Sequence, residues 1–243
     1  MAHDVRFLSL IAVISITLVG CGGGAAAPTA IPTPTPTPAE ISARAGQATR
    51  AAESMAFAIT LGGQPVYSDP SRVFMLTAID GALRRPDGVL ATLKLRSAAG
   101  LTEVRTVSLA GKQYATNPLT RAWQCLAPGT AFDAAVLFDP QRGIEQLLQD
   151  GIENVALAGE EDLDGRPVYH LRGAIPAERM IDISGGLIGA GAVTVDIWAD
   201  RATLRLAKIV LVDQVPGAAE ATTWTLVFNK YDQPVDVRAP VEC

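Results

Sequence analysis

Short runs of strictly alternating apolar and polar residues, separated by tight-turn dipeptides, restrict the folds open to this chain. In VLATLKLR, Val89, Ala91, Leu93 and Leu95 share one side, while Lys94 and Arg96 point the other way. In AVTVDIWAD, Val193, Val195 and Ile197 alternate with Thr194, Asp196 and Trp198. In TTWTLVFNKY, Trp224, Leu226 and Phe228 alternate with Thr225 and Asn229. A period of two places every apolar residue of a strand on one face of a sheet. Pro86-Asp87-Gly88, Gly111-Lys112, Asp164-Gly165 and Pro216-Gly217 supply turn chemistry between such runs. Spacers this short demand antiparallel neighbours, because a parallel crossover needs a dozen or more residues.

Helical patterns interrupt the strands in three places. EISARAGQATRAAE, residues 40–53, is alanine-rich and amphipathic. Asp139 and Pro140 form a helix start, with Ile144, Leu147 and Leu148 on one face. A shorter helix is expected over Ala177–Ile183, entered after Pro176. The expected class is α+β: a curved antiparallel sheet with helices covering its concave face.

The N-terminus specifies a compartment. Residues 1–20 have a polar start with Arg6, an apolar run from Phe7 to Val19, and the sequence Leu18-Val19-Gly20 before Cys21. The apolar run is shorter than the ~20 residues of a spanning helix and fits a secretory signal. A thiol preceded by small residues is what bacterial lipoprotein acylation requires, so Cys21 is the expected site of a diacylglyceryl group and further acyl chains such as palmitate. Two or more chains anchor a protein stably to a membrane. Residues 21–38 then form a Gly/Ala and Thr-Pro linker with extended polyproline II character. The folded domain is expected over 39–243, on the outer face of the cytoplasmic membrane.

Composition narrows the partners. A net charge of −5 and a pI near 5.1 leave no basic footprint for nucleic acid. Hydrophobic residues make up 49% of the chain but aromatic ones only 5%, so its interior must be aliphatic. Beyond Cys21, Cys125 and Cys243 are an even pair in an oxidising location. A disulfide between them would tie the last residue to the middle of the chain; the alternative is two free thiols.

Few residues suit catalysis. Past residue 20 there is one histidine, His170, in PVYHLR, with no partner evident in sequence. The chain has no GxSxG elbow, HExxH motif or phosphate-cradling glycine loop. Glu160, Glu161, Asp162 and Asp164 cluster beside a turn and read as solvated charges at a hairpin tip rather than a cation site. No catalytic residue, metal site or cofactor is expected.

Apolar capacity is the functional resource. MIDISGGLIGAGAV, Met180–Val193, carries Asp182 as its one charge. A helix ending through Gly185-Gly186 into Leu187 and Ile188 would form a pliable apolar rim. Candidate lining residues for an acyl-chain cavity are Val136, Phe138, Ile144, Leu148, Met180, Ile181, Leu187 and Ile188. Such a cavity should exceed ~300 Å³, the lower range for drug-sized ligands.

The C-terminal stretches VDIWADRATLRLAKIVL and WTLVFNKYDQPVDVRAP carry a further signal. Trp198 and Asp200 form a W-x-D turn. Tyr231, Pro234, Val235, Val237, Ala239 and Pro240 form a closing Y-x-x-P-V-x-V-x-A-P segment. This pattern resembles the mycobacterial LppX/LprAFG lipoproteins. The resemblance implies a half-barrel whose cavity holds an acylated lipid or glycolipid, working with envelope transport proteins. An alternative reading is a non-enzymatic, envelope-tethered structural or partner-binding module whose sheet encloses only its own side chains.

Overall fold

The computed structural model describes residues 36–127, 133–189 and 191–243. The signal segment, Cys21 and the linker as far as residue 35 lie outside the described residues. The described strands are β1 (Ser54–Gly63), β2 (Val66–Tyr67), β3 (Met75–Arg84), β4 (Gly88–Ser97), β5 (Gly100–Leu109) and β6 (Lys112–Thr116). They continue with β7 (Trp123–Leu126), β8 (Glu153–Leu163), β9 (Arg166–Ile175), β10 (Ala192–Asp200), β11 (Leu206–Gln214) and β12 (Thr222–Asn229). All twelve belong to one curved, open, antiparallel sheet in the order 7-6-5-4-3-1-12-11-10-9-8, with β2 paired to β3 off this path.

The sheet is two meanders joined at β1 and β12. The joint places Phe57 opposite Phe228 and Ile59 opposite Leu226, so both strands present apolar residues to one core. A one-residue slip would turn every one of those side chains to the opposite face. The hairpins form where turn residues permit. Asp164 and Gly165 both have positive φ between β8 and β9, as a type I′ turn requires. Between β5 and β6 the two turn residues with positive φ are Ala110 and Gly111, one position earlier than the expected Gly111-Lys112.

Helical structure is sparse. α1 (Pro38–Arg50) starts before its expected position because Thr37 and Glu40 form a capping box, with Thr37 Oγ1 accepting from the Glu40 N–H at 3.2 Å. Asp139 does not start a helix as expected. Its carboxylate accepts from the Gln141 and Arg142 N–H groups, closing a turn. The chain then bends at Gly143, where a Cβ would lie 2.6 Å from the Leu137 carbonyl oxygen. Before this bend is a 3-10 turn, Ala134–Phe138; after it come α2 (Ile144–Gln146) and a π-helical turn, Leu147–Gly151. α3 (Ala177–Ser184) ends at Gly185 in the left-handed region.

Topology dictates where these segments go. β7 and β8 are consecutive strands at opposite ends of the strand order. The chain between them must therefore traverse a sheet face, and its apolar residues share one core with the strands. Glu145 on α2 holds this crossing in place. It is fully buried and ion-paired with Arg85, with the Arg50 Nε 3.9 Å away. The Ser42 hydroxyl donates to the Leu148 carbonyl at 2.7 Å, tying α1 to the same segment.

The residues after β12 act as a strap. The Tyr231 hydroxyl donates to the Leu206 carbonyl at 2.7 Å, and Asp232 pairs with Arg205 at 2.6 Å. Val237 packs with Val107 and Tyr114 in a smaller second core. Cys243 then bonds to Cys125 on β7, with Cα atoms 5.9 Å apart. The bond closes a loop with a sequence separation of 118. In the chain-entropy description, a loop of that length stabilises by about 5 kcal/mol. Cys243→Ala should therefore lower the urea-denaturation free energy by several kcal/mol, and reductant should have no further effect on that variant. An unchanged midpoint would contradict the tail's closing role.

Burial raises the Glu145 pKa above its ordinary 4.5, and the two arginines only partly oppose this. The folded protein thus binds this proton more tightly than the unfolded chain. The resulting stabilisation is complete below about pH 4.5 and is lost as pH rises through the higher folded value. Asp69 and Asp232, held low by N–H donors from Phe74 and Glu53 respectively, act oppositely and only at lower pH. Denaturation midpoints should fall as pH rises from about 4.5 in the wild type, and Glu145→Gln should flatten that part of the curve.

Candidate functional site

The apolar faces of the sheet and the helical segments meet around one enclosed gap. From the sheet come Ile59 of β1, Ile79 of β3 and Ile175 of β9. β10 adds Val195 and Ile197, β11 adds Ile209 and Leu211, and β12 adds Trp224 and Leu226. Opposite them stand Leu137, Ile144, Leu147, Leu148 and Ile152 from the crossing segment. Met180, Ile183 and Ser184 of α3, with Leu187 and Ile188 of the following loop, complete the wall. Ser184 is the wall's one hydroxyl, and it is used locally. Its Oγ donates to the Met180 carbonyl at 2.6 Å and accepts from the Ile188 N–H at 2.9 Å.

Of the eight residues proposed from sequence, Ile144, Leu148, Met180, Leu187 and Ile188 line this gap. Three do not. Phe138 is buried in the core beside Phe57, their ring centroids 5.1 Å apart. Ile181 lies on the outer side of α3 and is 45% exposed. Val136 is half-buried beside the wall residue Leu137. A 3-10 turn and an eight-residue helix each present a narrow stripe, so adjacent apolar residues face different ways. The strand half of the wall was visible in sequence as alternation, but which of those residues oppose the helical segments depends on strand order.

The gap is small. Its volume is about 40 Å³, well below the ~300 Å³ expected from sequence. Aliphatic side chains from both layers interdigitate and fill most of the space. A shallower outer groove of about 440 Å³ adjoins it, lined by Gln64, Tyr67, Asp69, Arg72 and Asp213 among others. Half-buried Leu187 lines both spaces and stands between them.

A polar cluster occupies the other face of β8–β11. His170 has the partners that were not evident in sequence. Its Nδ1 lies 2.6 Å from Glu161 Oε1 and its Nε2 2.6 Å from Asp196 Oδ1. The imidazole stacks on Trp198 at 4.3 Å, and Lys208 covers the same indole at 4.6 Å. The Trp198 N–H and then His170 hold the Glu161 carboxyl below its ordinary range. These residues are far apart in sequence but lie on adjacent strands, with Trp198 directly opposite His170. Among the described residues, both ring nitrogens of His170 bond to carboxylates, not to a hydroxyl or thiol nucleophile. Glu160 pairs with Arg201 at 2.7 Å, and Asp162 accepts from the Gly165 N–H in the hairpin turn. Among the described residues, no group of three or more His, Cys, Asp or Glu is placed to hold a metal ion. No described helix is long and apolar enough to cross a membrane.

Comparison with known proteins agrees with this architecture. The family model described as LppX_LprAFG lipoprotein matches residues 37–237. The fold is similar to that of LprF from Mycobacterium bovis, with a TM-score of 0.65 at 16% identity, over 86% of this chain and 99% of that one. It is also similar to the Mycobacterium tuberculosis lipoprotein LppX, with a TM-score of 0.58 at 18% identity, over 83% of this chain and 98% of that one. None of the curated proteins compared matches the sequence. The matched span takes in the meanders, the helical crossing and the strap after β12 as far as Val237, and the chain belongs to the LppX_LprAFG lipoprotein family.

Proposed function

We propose that this protein is a membrane-tethered lipid carrier. Acylated Cys21 holds it to the outer face of the cytoplasmic membrane, and acyl chains of a lipid or glycolipid enter between the sheet's concave face and the helical segments covering it. No bond is made or broken; the protein shields a lipid from water and releases it to another envelope component. The observation that carries this reading is the wall of the interior gap, which is aliphatic on both sides apart from Trp224 and the internally satisfied Ser184. Membership in a lipoprotein family supports it.

A volume of about 40 Å³ cannot hold a fatty tail, so binding requires the two layers to separate. α2 and the π-helical turn are anchored by Glu145 and Ser42, as described above. α3 and its loop are the better candidates to move. They are short, end in Gly185 and Gly186, and meet the sheet mainly through apolar contact. Apolar contact is non-directional, and a methylene inserted between the layers regains ~0.8 kcal/mol that separation in water would lose.

The full chain carrying Cys21→Ser, mixed with vesicles containing lipids brominated on their acyl chains, should show quenching of tryptophan fluorescence. Trp224 lines the gap, whereas Trp123 and Trp198 do not. Trp224→Phe should therefore remove most of the quenching. Equal quenching in that variant, or none in the parent, would defeat the carrier reading. The small gap is the observation that favours the second reading, an envelope-tethered module that binds a partner protein with a permanently closed interior. In that case no lipid adduct would appear by native mass spectrometry.

A further inference from the structure

Two buried polar atoms, one on β11 and one on β12, have no hydrogen-bond partner, and they are complementary. Asp213 on β11 is only 2% exposed. Its Oδ2 accepts from the Gly189 N–H at 3.0 Å, tying the loop after α3 to the sheet, while its Oδ1 is unpartnered. Trp224 on β12 is 3% exposed, and its Nε1–H is likewise unpartnered. Leaving such groups unsatisfied in an interior is costly, and each calls for an explanation.

The strand register brings them together. Asp213 is opposite Thr222, and Leu211 is opposite Trp224. Asp213 and Trp224 are thus diagonal neighbours on the buried face, a relation that puts their Cα atoms ~7–8 Å apart. Asp213 lines the outer groove and Trp224 lines the inner gap. Thr222, the residue nearest in register, does not satisfy Asp213; its hydroxyl donates to the Gln64 carbonyl at 3.3 Å.

We infer that this pair is a recognition site for the polar junction of the carried lipid, at the point where acyl chains meet headgroup. The acceptor Asp213 Oδ1 calls for a ligand donor, and the donor Trp224 Nε1–H, on its diagonal neighbour, calls for a ligand acceptor. A partially acylated polyol has both: a free hydroxyl beside an ester carbonyl. Its hydroxyl would donate to Asp213, its carbonyl would accept from Trp224, and its chains would continue past Leu187 into the gap. A phosphate in this place would face the carboxylates of both Asp213 and Asp69, against Arg72 alone among the groove residues named above. The site therefore selects an uncharged, hydroxyl-bearing junction.

This inference rests on the lipid-carrier reading, and the two can fail separately. The test compares dioleoylglycerol with its acetate ester, which has the same chains but no free hydroxyl, by native mass spectrometry titration of the full chain carrying Cys21→Ser. A hydrogen bond to a charged acceptor predicts tighter binding of dioleoylglycerol by ~10- to 100-fold. Asp213→Asn and Trp224→Phe should each bring that ratio towards one. The comparison on the parent protein needs no variant, so a misfolded mutant leaves the inference open to refutation. Equal affinity for the two lipids overturns it while leaving the carrier reading intact. A preference that survives Asp213→Asn overturns the assignment to Asp213. Binding of neither lipid overturns the carrier reading and this inference together.

Discussion

The pairing of β1 with β12 is the constraint on which the rest of the structure depends. Residues separated by most of the domain's length meet there, Phe57 against Phe228 and Ile59 against Leu226. Each meander alone would be a sheet with one exposed apolar face. Joined in register, they present one continuous apolar surface from β4 to β10. A sheet of this many strands does not stay flat, because strand twist accumulates until an open sheet curls.

The same joint accounts for the helical crossing. With β1 and β12 central, the end of the first meander and the start of the second lie at opposite edges. Apolar residues of the connection between them are buried in the same core as those of the strands. Glu145 and Arg85 fix that connection to the sheet, at the cost of removing a carboxylate from water, and this cost is visible in its raised pKa. The loop after α3 is tied to β11 through the Gly189 N–H, which donates to Asp213.

The two faces of the sheet have separated their chemistries. The inner face is apolar, and it carries the unpartnered atoms of Asp213 and Trp224. The outer face at β8–β11 carries a fully engaged network around His170 and Trp198, which shields the indole and binds four strands together through side chains. β8, at the sheet's edge, is charged and has two register shifts, features that discourage pairing with another chain.

Much of this was legible in the sequence. Period-two alternation in β4, β10 and β12, and the turn residues between hairpins, are local properties, so strand identity and antiparallel neighbours could be read directly. The helix over Ala177–Ile183 and its glycine exit were legible for the same reason, as was an even pair of cysteines able to bond. What the sequence determined by itself was therefore the elements, their polarity and one apolar face per strand. Only the tertiary structure decided how they meet. It showed that Phe138 and Ile181 turn away from the gap, that His170 sits between Glu161 and Asp196, and that Asp213 and Trp224 are neighbours. It also showed an interior far more tightly filled than the strand pattern suggested. The physical reason is that local pattern reports which side of an element avoids water, whereas volume and partnership depend on register and strand order between segments distant in the chain.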